Sequence, residues 1–203
     1  MRKYMIGVWH PSVILTYCNA IFSVFGICLL KAHPTLAVVF LVCAALCDMF
    51  DGMVANCFER SEHDKLFGVQ IDSLADTCSF VAFPAYILVH LCGYSVWSYI
   101  VAALFTVMGI ARLSWFNITT GRSPGYFTGI PVTSSAIIVP VIYAILGFLK
   151  LPATVNQVIW CVSLTVTAVL FVCNFKLRKP NFTARMILLA AAIVLIAVLF
   201  ITL

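Results

Sequence analysis

Charge is what this sequence has least of. Only 9% of its 203 residues are Asp, Glu, Lys or Arg, against 64% that are hydrophobic. That leaves too little polar surface to cover a soluble globule. No acidic residue precedes Asp48 or follows Asp76. There is no internal repeat, low-complexity tract or shift in composition, so residues 1–203 read as a single transmembrane domain. Cysteine is plentiful, but no Cys or His partner pair completes Cys43 and Cys47 at zinc spacing, which excludes a structural zinc site. Most of the thiols lie inside apolar runs, where cysteine behaves as a small hydrophobe. The basic, then apolar, start has the order of a signal peptide without a small-x-small cleavage site, and is read as a retained first helix.

What the sequence does have is long apolar segments. They run approximately over 11–30, 35–57, 66–91, 95–117, 130–149, 153–175 and 185–203. Each is long enough, at about 1.5 Å per residue, to cross a hydrocarbon core of about 30 Å. The breaks fall at His33-Pro34, Gly93, residues 119–125, Leu151-Pro152 and Lys179-Pro180-Asn181. With the N-terminus placed in the cytoplasm, that side receives Arg2, Lys3, Arg60, Lys65, Arg112, Arg122, Lys176, Arg178, Lys179 and Arg185. The far side receives only Lys31 and Lys150. Cytoplasmic loops carry such an excess, so the net charge of +5 reflects orientation in a membrane rather than nucleic-acid binding. The sequons at Asn117 and Asn181 then face the cytoplasm, where glycosylation is not expected.

All seven acidic residues are gathered between Asp48 and Asp76. Glu59, Glu62 and Asp64 sit with Arg60, His63 and Lys65 in the connection between the second and third spans and read as a solvated turn. Asp48, Asp51, Asp72 and Asp76 lie within apolar helices. An uncompensated Asp at a helix centre costs about 2.5–3.5 kcal/mol on insertion scales. The apolar portions of these two helices contain no Lys or Arg to compensate. At 100° per residue, Asp48, Asp51, Gly52 and Ala55 share one face, and Gly68, Asp72 and Asp76 share another. A short connection makes the two helices antiparallel neighbours, so the four carboxylates can converge. Their mutual repulsion calls for divalent cations, and an all-oxygen donor set suits Mg²⁺, Mn²⁺ or Ca²⁺. Gly52, Ala55 and Gly68 leave space beside the carboxylates, for a ligand or for close helix packing.

The pattern Asp48-x2-Asp51-Gly52-x2-Ala55, then Gly68-x3-Asp72-x3-Asp76, resembles the signature of the CDP-alcohol phosphotransferase family. Asn56 stands where that family usually carries Arg, a contact that Arg60 or Lys65 could replace, and the connection to Gly68 is longer than usual. Residues 71–76, 111–117 and 126–133 further resemble bacterial phosphatidylserine synthases within the family, and the likeness covers roughly residues 10–175. The resemblance implies an all-α polytopic membrane protein. Its six-helix bundle would have a cytoplasmic N-terminus and contain an active-site hairpin over 35–91, with an extra seventh span over 185–203 for which no motif suggests a role. It also implies two divalent cations, Mg²⁺ or Mn²⁺, held by Asp48, Asp51, Asp72 and Asp76, with Asp76 doubling as general base.

The reaction implied by the resemblance is transfer of the phosphatidyl group of CDP-diacylglycerol to L-serine, with CMP leaving. The site would face the cytoplasm from the cell membrane, in a homodimer surrounded by membrane lipids. Gly52, Ala55 and Gly68 would give the CDP-lipid room. Arg112, the only basic residue well inside an apolar segment, is the first candidate for binding the acceptor, its competing placement being snorkelling to headgroups. Asn117, Arg122, Thr133 and Ser134 are nearby polar candidates. Glycerol 3-phosphate or inositol phosphate as acceptor would favour more Arg or Lys beside the aspartates. A divalent-cation transporter would place its acids near the midplane, on broken helices in related halves. A purely structural membrane protein would leave the four aspartates unexplained.

Overall fold

The computed structural model describes residues 7–119, 126–178 and 181–202. It is helical almost throughout. Among the described residues, seven helical segments are long and apolar enough to cross a membrane. A 3-10 turn, Pro11–Val13, leads into α1 (Ile14–Leu29), and α2 (Pro34–Ala55) returns with Pro34 in its first turn. Proline suits that position, where its missing N–H has no partner to lose. The remaining helices are α3 (Glu62–Asp76), α4 (Phe83–Leu91), α5 (Val96–Thr119), α6 (Ser135–Leu149), α7 (Ala153–Val172) and α8 (Phe182–Thr202). Lys150 ends α6 in the left-handed conformation, at φ 48° and ψ 44°.

The third span differs from the sequence expectation at both its start and its middle. Helix α3 begins at Glu62, so Glu62, His63, Asp64 and Lys65 form its first turn, while Glu59 and Arg60 stay in the connection. Ser61 caps it: the hydroxyl oxygen accepts from the Asp64 N–H at 3.2 Å, and Asp64 Oδ2 accepts from the Ser61 N–H at 3.2 Å. This reciprocal box satisfies two backbone donors, and Ser-x-x-Asp was its signal in the sequence. Between α3 and α4, residues Thr77–Ala82 form a π-helical segment. Pro84 follows it and has no N–H to give the Phe80 carbonyl, a loss that would interrupt an α-helix. The Ser135 hydroxyl donates to that carbonyl instead, at 2.8 Å. Single π turns inside helices are rare and occur often at functional sites.

The π segment sits at the centre of the packing. Phe80, Val81 and Phe83 are fully buried in a core with Leu41 from α2, Phe105 from α5 and Phe171 from α7. A Cβ on Gly109 of α5 would come within 2.7 Å of Val81, so only glycine lets α5 approach there. Large side chains such as Trp97, Phe148 and Ile201 are exposed, as on a surface that faces lipid. Helix α8 packs on α2 and α6. A small antiparallel ladder, β1 (Tyr126–Thr128) with β2 (Lys176–Arg178), pairs Phe127 with Leu177 and ties the α5–α6 connection to the end of α7. The apolar pattern contained no sign of it.

Candidate active site

Helix α1 packs on both aspartate-bearing helices, and α2 meets the third span chiefly at the π segment; across this junction the carboxylates of Asp48, Asp72 and Asp76 converge. Asp48, Asp72 and Asp76 each offer one oxygen, and these oxygens lie within 4.8 Å of one another. Asp51 lies outside that close group. Asp76 is buried, while Asp48, Asp51 and Asp72 are half-buried. Among the described residues, no Lys or Arg forms an ion pair with any of the four.

This arrangement fits a hard divalent cation. The donor set is all carboxylate oxygen, the kind that hard divalent cations take, and three such oxygens are gathered in one place. Asp72 Oδ1 is buried without a hydrogen-bond partner. Such an orphaned acceptor costs about 1–3 kcal/mol unless something binds it.

Helix α1 contributes a wall that the sequence reading missed. The Thr16 hydroxyl donates to Asp51 Oδ2 at 3.2 Å, and Asn19 Nδ2 donates to Asp76 Oδ1 at 3.4 Å. One turn on, the Ser23 hydroxyl donates to the Cys78 carbonyl at 3.2 Å, and the Ser79 hydroxyl donates back to the Asn19 carbonyl at 3.3 Å. Ser12, Thr16, Asn19 and Ser23 are all buried. Their spacing of four, three and four residues marks one helix face, so the signal was present in the sequence. It went unread because hydroxyl and amide side chains carry no charge to stand out in an apolar run.

Gly52 borders open space, with no atom within 4 Å of where its Cβ would stand. Beside Gly68, the only such atom is Arg60 Nη1, at 3.8 Å. Ala55 is buried. Asn56 ends α2 and is exposed. Lys65 is held by Glu62 at 2.7 Å at the exposed start of α3, and of the two basic residues in this connection it is Arg60 whose guanidinium comes nearest Gly68.

Arg112 does not snorkel. It is only 5% exposed, its Nε donates to the Ile130 carbonyl at 3.2 Å, and its guanidinium lies over the Phe116 ring. The competing placement at headgroups fails because Phe116, Ile130 and the turn before α6 enclose it, within electrostatic reach of Asp76. Arg112 also lines a cavity of about 340 Å³ with Trp115, Thr128 and Asn174, separate from the aspartates. Asn117 Oδ1 accepts from the Ser73 hydroxyl at 3.0 Å, which fixes it against α3. Thr133 lines a second cavity, of about 270 Å³, together with Asp48 and Arg185. Ser134 Oγ is buried without a partner. Arg122 falls outside the described residues.

A Helicobacter pylori protein named CDP-diacylglycerol–serine O-phosphatidyltransferase is 37% identical over 101 residues, 48% of this chain and 41% of its own length. A Mycobacterium bovis protein of the same name is 28% identical over 191 residues, 84% of this chain and 63% of its own. An archaetidylserine synthase from Methanothermobacter thermautotrophicus is 35% identical over 109 residues, 53% of this chain and 46% of its own. The chain thus covers less than two thirds of the length of each of these relatives. The family profile described as CDP-alcohol phosphatidyltransferase matches residues 9–197, nearly the whole chain, and the chain belongs to that family.

Proposed function

We propose that this protein transfers the phosphatidyl group of CDP-diacylglycerol to the hydroxyl of L-serine, giving phosphatidylserine and CMP. The observation that carries the reading is the convergence of Asp48, Asp72 and Asp76, with Asp51 beside them, in a chain of this family. The serine acceptor is supported by the names of the relatives. Buried Arg112 would supply a cation for the serine carboxylate.

Asp48, Asp51, Asp72 and Asp76 would hold two Mg²⁺ or Mn²⁺ ions. When bound, such cations screen a diphosphate and stabilise the attacking and leaving oxygens. The protein's own part begins with Asp76, whose carboxylate takes the proton of the serine hydroxyl as the new phosphorus–oxygen bond forms. The bond from that phosphorus to the CMP oxygen breaks in the same displacement. A free carboxylate is too weak a base to deprotonate an alcohol beforehand, so proton transfer accompanies bond formation. Asn19, donating to Asp76 Oδ1, orients the carboxyl group. The open space at Gly52 and the Arg60 side chain beside Gly68 suit a nucleotide and its diphosphate. In this reading the chain is a homodimer in the cell membrane, with its N-terminus and aspartates on the cytoplasmic side.

The test is direct. Purified protein in detergent, given CDP-diacylglycerol, Mn²⁺ or Mg²⁺ and labelled serine, is expected to release CMP and form labelled phosphatidylserine. Release of CMP only with glycerol 3-phosphate or inositol phosphate would overturn the serine assignment. No CMP with any of the three would overturn the enzyme itself.

A further inference from the structure

Helix α8 was the one span without a role in the sequence, and it is where the structure adds most. The cavity of about 270 Å³ that Asp48 and Thr133 line is closed on its third side by α8, whose Arg185 stands at its polar end. Deeper along the same helices lies an apolar cavity of about 310 Å³, and the two share Ala136 and Ala192 in their walls. That cavity ends at Val198, which also lines a further apolar cavity of about 260 Å³. The first two form one slot between α2, α6 and α8. From Arg185 to Val198 it follows α8 for about 20 Å at 1.5 Å per residue. That exceeds the depth of one leaflet of a core about 30 Å thick.

The slot is amphipathic along its length. Its mouth carries a carboxylate that belongs to the aspartate cluster and a guanidinium that makes no ion pair with any described residue. Its depth is almost wholly apolar, and alanines at 136 and 192 keep it open where larger side chains would fill it. An arginine among apolar residues is costly without an anion, and its planar fork matches phosphate oxygens. A phospholipid has both features required, an anionic phosphate and a chain.

We propose that this slot binds one acyl chain of the lipid substrate and that Arg185 binds the phosphate on the glycerol side, which makes α8 part of the substrate site. The inference rests on the reading of the aspartate cluster as a CDP-lipid site. Asp48 then faces the diphosphate from α2 while Arg185 holds it from α8, and the chain lies under Ala192 toward Val198.

Steady-state kinetics and lipid binding test it together. Arg185→Gln is expected to raise KM for dipalmitoyl CDP-diacylglycerol about tenfold without changing KM for serine, and Arg185→Lys to recover part of the loss. Ala192→Phe, which fills the slot, is expected to raise KM for the dipalmitoyl substrate but not for a dihexanoyl one. In native mass spectrometry of the detergent-solubilised full chain, wild type is expected to retain dipalmitoyl CDP-diacylglycerol and Arg185→Gln to lose it. Should wild type release no CMP yet retain this lipid in an Arg185-dependent way, the enzymatic reading fails and the slot stands. Unchanged KM and retention in both variants, or equal retention of phosphatidylcholine by wild type and Arg185→Gln, would overturn the slot.

Discussion

Asn19 of α1 donates its side-chain amide to Asp76 Oδ1 of α3 at 3.4 Å, both residues being buried. The contact joins the first span to the carboxylate proposed as general base. It gives α1, which carries no charged residue, a positioning role in the site.

Asn19→Leu removes that donor and leaves Asp76 free to turn. The expected result is a fall of about tenfold in kcat, the scale of one hydrogen bond to a charged group, with KM for both substrates within twofold. Asp76→Asn is expected to cost far more, about a thousandfold, as the loss of a general base does. Initial rates of CMP release measure both. Asn19→Leu with full kcat would remove the positioning role.

Gly52 borders open space, so a Cβ there meets no described atom within 4 Å. Gly52→Leu should leave the melting temperature unchanged or slightly raised, since glycine within a helix is destabilising by about 1 kcal/mol relative to better helix formers. The leucine should nonetheless obstruct the nucleotide and raise KM for CDP-diacylglycerol at least tenfold. Thermal melts in detergent and substrate titrations separate the two effects. Unaltered KM would mean that the open space is not the nucleotide's.

Arg60, beside Gly68, is the residue placed to supply the cation that Asn56 lacks. Arg60→Gln is expected to raise KM for CDP-diacylglycerol about tenfold, the value of one charge-assisted hydrogen bond. Lys65→Gln, which breaks only an exposed pair with Glu62, should change it less than twofold. Equal effects of the two substitutions would show that only net charge at the surface matters.

Gly109 lets α5 approach Val81 of the π segment. Gly109→Ala should destabilise the fold by about 1–3 kcal/mol, as overpacking of a core does. Adding Val81→Ala should recover most of the loss by removing the two methyl groups that the new Cβ meets. Melting temperatures of both single variants and the double variant complete the cycle. A double variant no more stable than Gly109→Ala would place the strain elsewhere.

Seven spans, and two acid-bearing helix faces that come together at Asp48, Asp72 and Asp76, were legible in the sequence. Both depend on local rules, the length of an apolar run and the 100° turn of a helix. The polar stripe Ser12, Thr16, Asn19 and Ser23 obeys the same rule, but a stripe of uncharged groups shows only that the face is polar, not what it meets. The start of α3 was misplaced because the capping residues Ser61 and Asp64 lie among other charged residues that also suit a loop. Arg112 shows the opposite limit. A long basic side chain near a helix end reaches water or stays inside according to its neighbours, and here Ile130 and Phe116 keep it inside.

By itself the sequence determined that this is a membrane protein, which helices carry the acids, and which family signature they spell. These follow from composition and from spacing along one chain. Tertiary structure alone decided that Asp48, Asp72 and Asp76 form the close group while Asp51 stays outside it, that Asn19 reaches Asp76, and that Arg185 closes a cavity shared with Asp48. The physical reason is that each of these joins helices far apart in sequence, and the approach of two helices is set by the small and large side chains packed between them.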